Sequence, residues 1–152
     1  MRCRLMVRKN IKLRVKNLVR KMGTASPLQI ADMMRIPIVY AELPKGIRGY
    51  LTRPLRRKVI VLNDKLDERE IPIVVAHELG HALMHGAAGT FHADTVNYCN
   101  ARSEYEANMF ALYLLSYCYD IDERLLQAAP RNRDVMTYKE AHLLLCRCIE
   151  RG

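Results

Sequence analysis

No acidic side chain occurs before Asp32, and no uncharged apolar run approaches the roughly 18–20 residues of a membrane-spanning helix. The cationic start is not followed by the apolar stretch of a secretory signal. Cys3, Cys99, Cys118, Cys146 and Cys148 show no paired metal-knuckle spacing. An odd number of such thiols fits a reducing compartment better than a disulfide scaffold. Repeats, low-complexity tracts and long linkers are also missing. These absences argue against secreted and membrane classes, and the expectation is a cytoplasmic protein.

What remains is a chain of 152 residues, enough for one domain with its own core. Its net charge of +9 is unevenly placed. Nine of the 25 basic residues precede Met22, and the other 16 match the 16 acidic residues. The surplus is therefore an N-terminal arm. Val7, Ile11, Val15, Leu18 and Met22 recur there at helical spacing, which predicts a basic amphipathic helix over residues 1–22, ended by Gly23. Residues 23–152 are expected to form a single domain.

Within that domain, Ser26-Pro27 reads as an N-cap and first-turn proline opening a short helix to about Met34. Ile36–Glu42 reads as an edge strand and Tyr50–Thr52 as a second strand. Arg53–Lys58 reads as a basic loop, and Val59–Leu62 as a third, more buried strand. Asp67 with Glu70 suggests a capping box for a long helix closed by Gly86, although Pro72 allows a later start. Ser103 with Glu106 suggests the cap of another helix, and further helices are expected near Asp122–Ala128 and from Thr137. The expected class is α+β, with a small antiparallel sheet of about three strands on a helical core.

The chemistry lies in His77-Glu78-Leu79-Gly80-His81, an H-E-x-x-H pattern inside an apolar helix. Residues four apart stand one above the other on a helix face, so both imidazoles can reach one zinc ion. Glu78 then sits beside the metal's open position, where it can take a proton from water and pass it to a leaving amine. A third protein ligand is needed. His85 lies on the same face, but eight residues of helix separate it from His77 by about 12 Å, so the two cannot share an ion. It reads instead as a residue favoured by the helix C-terminus. The better candidates are Glu104 and Glu106. A capping box would occupy Glu106, which favours Glu104 as ligand. Asn108, one turn on, could accept a hydrogen bond from a ligand histidine's other nitrogen. His92, Tyr98 and Tyr105 are open candidates to stabilise an oxyanion.

His77–His85 followed by Glu104-Tyr105-Glu106-Ala107-Asn108-Met109-Phe110-Ala111 resembles the ImmA/IrrE family of bacterial and phage metallopeptidases. The similarity spans roughly residues 20–116. It implies a zincin-like fold and a gluzincin-like site, with His77, His81 and Glu104 holding zinc and Glu78 as base. It further implies site-specific cleavage of a helix-turn-helix transcriptional repressor of a phage or mobile element. The family's Leu-Leu-Met-Pro is replaced by Leu114-Leu115-Ser116-Tyr117, and the basic arm is stronger than the resemblance suggests.

The alternative is an antirepressor or adaptor that binds its partner with zinc in a structural role. Glu78 argues against it, because a structural site has no need of a base and is closed by a fourth ligand. The arm could dock on the domain, or approach DNA or an acidic partner surface. Membrane binding is disfavoured, since its apolar face lacks a large aromatic.

Overall fold

A computed structural model describes residues 10–85 and 101–119. The expected helices beyond residue 119, the stop at Gly86, and His92 and Tyr98 lie outside these residues.

Helix α1 (Ile11–Met22) begins where Asn10 Oδ1 accepts the Leu13 N–H at 3.1 Å. It ends at Gly23, whose φ of 69° suits a residue without a Cβ. Val15 is fully buried, with Ile11, Leu18, Val19 and Met22 partly covered around it. Lys12, Arg14, Lys16, Arg20 and Lys21 are exposed, so charge and apolar stripe separate as the periodicity predicts. Helix α2 (Pro27–Met33) carries its proline in the first turn, and Ser26 Oγ accepts from the Gln29 N–H.

Strands β1 (Ile38–Ala41), β2 (Gly49–Thr52) and β3 (Val59–Asn63) form one sheet in the order β1-β3-β2. β2 and β3 are an antiparallel hairpin, but β1 runs parallel to β3, with Ile38 opposite Ile60. The sheet is therefore mixed, not antiparallel as expected. Burial decides the order of the strands. Ile60, Val61 and Leu62 are all buried and take the central place, whereas Val39 and Tyr40 of β1 are exposed and suit an edge. With β2 on one side of β3, β1 takes the other side, and the two chain reversals between β1 and β3, one at the Pro44–Ile47 turn, leave it running the same way as β3. Gly49 is required by this packing, since a Cβ there would lie 2.7 Å from the Val61 carbonyl oxygen.

Helix α3 (Glu70–Met84) crosses beneath the sheet, and eleven of its fifteen residues are buried. Asp67 Oδ1 accepts from the Arg69 and Glu70 N–H groups at 2.9 and 3.0 Å. The helix thus starts later than Asp67, and Pro72 falls in its first turn, where no N–H is missed. Lys58, at the end of the basic loop, donates from Nζ to the Ala82 carbonyl at 2.6 Å and ties the hairpin to α3.

Helix α4 (Ala101–Leu115) packs along α3 and also meets α1. Ser103 lies inside this helix and is not its N-cap, so the capping box expected with Glu106 does not form. The contact between α3 and α4 is close because Gly80 presents no side chain to Ala107 and Phe110. The architecture is α+β, with α3 at its centre. Among the described residues no helix is long and apolar enough to cross a membrane.

Candidate metal centre

One turn of α3 separates His77 from His81, and both are buried, at 4% and 1% exposure. Their Nε2 atoms lie 3.1 Å apart, with the rings edge to face. From α4, Glu104 closes the group. Its Oε2 is 3.2 Å from His77 Nε2, and its Oε1 is 2.9 Å from His81 Nε2. Glu106 does not reach this point. Two nitrogens and a carboxylate thus converge from two helices, a set able to hold a metal ion.

The spacing can be tested against that idea. Bonds of about 2.1 Å in a tetrahedron place neighbouring ligand atoms about 3.4 Å apart. The observed separations of 2.9–3.2 Å are slightly tighter, and small rotations of the three side chains would open them. The donor chemistry agrees as well. Three lone-pair donors packed this closely need a cation, either protons or a metal, among them. The residues fit a metal of the zinc class.

Glu78, on the same helix, is outside the donor group. Burial raises its pKa from 4.5 to about 7, and the Glu104 charge adds to the rise. His81 and a hydrogen bond from the Leu51 backbone N–H work against it. Strand β2 therefore holds the carboxylate that neighbours the donor cluster. Glu104 behaves oppositely. Burial alone would raise its pKa, but hydrogen bonds and charge from His77 and His81 outweigh burial and hold the carboxyl well below its usual range.

Asn108 is buried one turn beyond Glu104, and its Nδ2 has no hydrogen-bond partner among the described residues. Tyr105 packs, partly buried, against the core.

The pair that sequence reasoning missed is His85 with Glu106. His85 Nδ1 lies 3.1 Å from His81 Nδ1, and His85 Nε2 lies 3.0 Å from Glu106 Oε2. A signal was present in the stripe His77, His81, His85 at four-residue spacing. The Ser103–Glu106 cap pattern obscures it, because it gives Glu106 another task.

Comparison with known proteins agrees with this geometry. Residues 31–142 match the model of the peptidase M78 family, described as an IrrE N-terminal-like domain. The "uncharacterized immunity region protein 2" of Bacillus phage phi105 is 36% identical over 106 residues, covering 69% of this chain and 67% of that protein. "Metallopeptidase ImmA" of Bacillus subtilis (strain 168) is 28% identical over 125 residues, covering 80% of this chain and 70% of that protein. The match extends through both helices of the donor cluster and supports metallopeptidase-like chemistry, with a metal ion and a protein substrate. The chain belongs to the peptidase M78 family.

Proposed function

We propose that this protein is a zinc-dependent, site-specific endopeptidase of gluzincin type, whose substrate is a helix-turn-helix repressor of a phage or mobile element. The observation that carries the reading is the convergence of His77, His81 and Glu104, with the buried Glu78 carboxyl beside them but outside the donor set. His77, His81 and Glu104 would hold the zinc. When bound, zinc supplies Lewis acidity, polarising the scissile carbonyl and acidifying water.

The chain's own residues do the rest. Glu78 takes the proton of the attacking water on its carboxylate and delivers it to the leaving amine. The Leu51 N–H holds that carboxylate in one orientation, and its burial limits competing water. Asn108 would support the ligand set by accepting, through its amide oxygen, from a ligand histidine's other ring nitrogen. The repressor substrate is supported by the resemblance of the two motif halves to ImmA/IrrE proteins, and by a relative named for a phage immunity region. The basic face of α1 would favour encounter with a DNA-bound or acidic partner. Such a reaction belongs in the cytoplasm.

The test is incubation of the full-length, zinc-loaded protein with the helix-turn-helix repressor encoded beside its gene. A single defined cut is expected, lost with Glu78→Gln and with a chelator. An intact repressor that nevertheless forms a stable complex would overturn the peptidase reading in favour of an antirepressor.

A further inference from the structure

His85 and Glu106 contribute nothing to the donor cluster, yet they form a line that ends in it. Both side chains are 8% exposed, which is low for a histidine at a helix end and a carboxylate. The line runs from Glu106 Oε2 to His85 Nε2 at 3.0 Å, and from His85 Nδ1 to His81 Nδ1 at 3.1 Å. His81 Nε2 then faces His77 and Glu104.

Only one proton arrangement along this line leaves His81 able to bind a metal. A neutral imidazole ligating through Nε2 carries its proton on Nδ1. That N–H donates to the lone pair on His85 Nδ1. The proton of His85 is then on Nε2, from which it donates to the Glu106 carboxylate. Reversing the direction would put a proton on His81 Nε2, in the middle of the donor cluster, and with a neutral His85 would require Glu106 to donate. With a neutral His85, a carboxylate at the far end, which can only accept, selects the first arrangement, and a cation on His81 Nε2 excludes the doubly protonated one.

We propose that His85 and Glu106 are positioning residues for the metal: together they fix His81 in its Nε2-ligating tautomer and orientation. A carboxylate usually performs this task by touching the ligand histidine directly. Here it acts through a second histidine, because a helix turn carries His85 past His81 to the side where α4 presents Glu106. The proposal rests on the reading of His77, His81 and Glu104 as ligands.

The experiment measures zinc affinity of the full-length protein by competition with a chromophoric chelator, with the cobalt-substituted absorption spectrum as a second readout and circular dichroism of the metal-free fold as a control. His85→Phe and Glu106→Leu should each weaken zinc binding about 10–100-fold and alter the cobalt spectrum. Glu106→Gln, which keeps an acceptor oxygen, should recover most of that loss. Because the two residues act in series, the double variant should bind within about threefold of His85→Phe alone, whereas independent effects would multiply. Wild-type affinity in His85→Phe, or multiplying losses, would overturn the relay while leaving the metal site standing. If His85→Phe does not fold without metal, equal affinities for Glu106→Gln and Glu106→Leu would overturn it instead. A wild-type protein that binds no zinc would overturn the ligand assignment, and the relay with it.

Discussion

Gly80 and Ala107 face each other so closely that a Cβ on Gly80 would stand 3.1 Å from both the Cα and the carbonyl oxygen of Ala107. Backbone atoms cannot swing aside as a flexible side chain can. This contact sets the distance between α3 and α4, and Glu104 reaches the two histidines across that same gap. Gly80→Val should therefore cost about 1–3 kcal/mol of stability through overpacking and β-branching in a helix. It should also weaken zinc binding, because α4 must retreat. Chemical denaturation and chelator competition measure the two effects. Lost stability with unchanged zinc affinity would show that Glu104 reaches its position independently of this spacing.

Glu78→Gln should abolish peptide-bond cleavage and leave zinc binding nearly unchanged, since glutamine keeps the shape but takes no proton. Loss of zinc in the variant would make Glu78 a ligand instead of a base.

The same variant makes a pH prediction for the metal-free protein. Folding raises the Glu78 pKa from 4.5 to about 7, so the folded state holds this proton more tightly than the unfolded state. Its stabilising contribution is complete below the lower value and is lost as pH rises through the upper one. Glutamine does not titrate. In a chelator, Glu78→Gln should gain on wild type as pH rises from 5 to 8, by on the order of 2–3 kcal/mol. Urea midpoints at the two pH values provide the comparison. A constant difference between the proteins would show that the carboxyl does not titrate in this range.

Glu104→Ala removes a donor, and Glu106→Ala removes only a support behind one. Stoichiometric zinc binding should be lost in the first and weakened about 10–100-fold in the second. Reversed effects, read by metal analysis after dialysis, would move the site to Glu106.

On α1, apolar and charged faces should separate in their effects. Val15→Ala should cost about 1–3 kcal/mol, because Val15 is fully buried. Neutralising Lys12, Arg14 and Lys16 should change stability by less than about 0.5 kcal/mol. It should slow encounter with an acidic protein substrate at low salt and matter less as salt rises. A large loss of stability on neutralisation would mean that the charges serve the fold.

Local chemistry made the helices legible. Gly23 ends α1, Ser26-Pro27 opens α2, and the four-residue spacing of His77 and His81 needs only helix geometry to place both on one face, whereas the start of α1 at Asn10 was not anticipated. Nonlocal facts were harder. The burial of Ile60–Leu62 puts β3 between β1 and β2, and the reversal at the Pro44–Ile47 turn followed by the β2–β3 reversal then leaves β1 parallel to β3, which no single local signal announces. Ser103 misled because a cap signature carries no information about a helix already under way. With Glu106 assigned to that cap, its pairing with His85, 21 positions earlier, could not be anticipated.

The burial of α3 on nearly all sides has a consequence for the lifetime of the protein. Its polar donors sit where other domains of this size place hydrocarbon, so the interior is settled only when something cationic occupies them. Under metal starvation protons must take that place, and the stability that metal binding adds is lost. Cellular proteases act on whatever opens, and the population of open chains grows as that stability falls. A shortage of metal would then remove the molecule itself as well as silence it, and abundance would follow metal supply without any dedicated sensor.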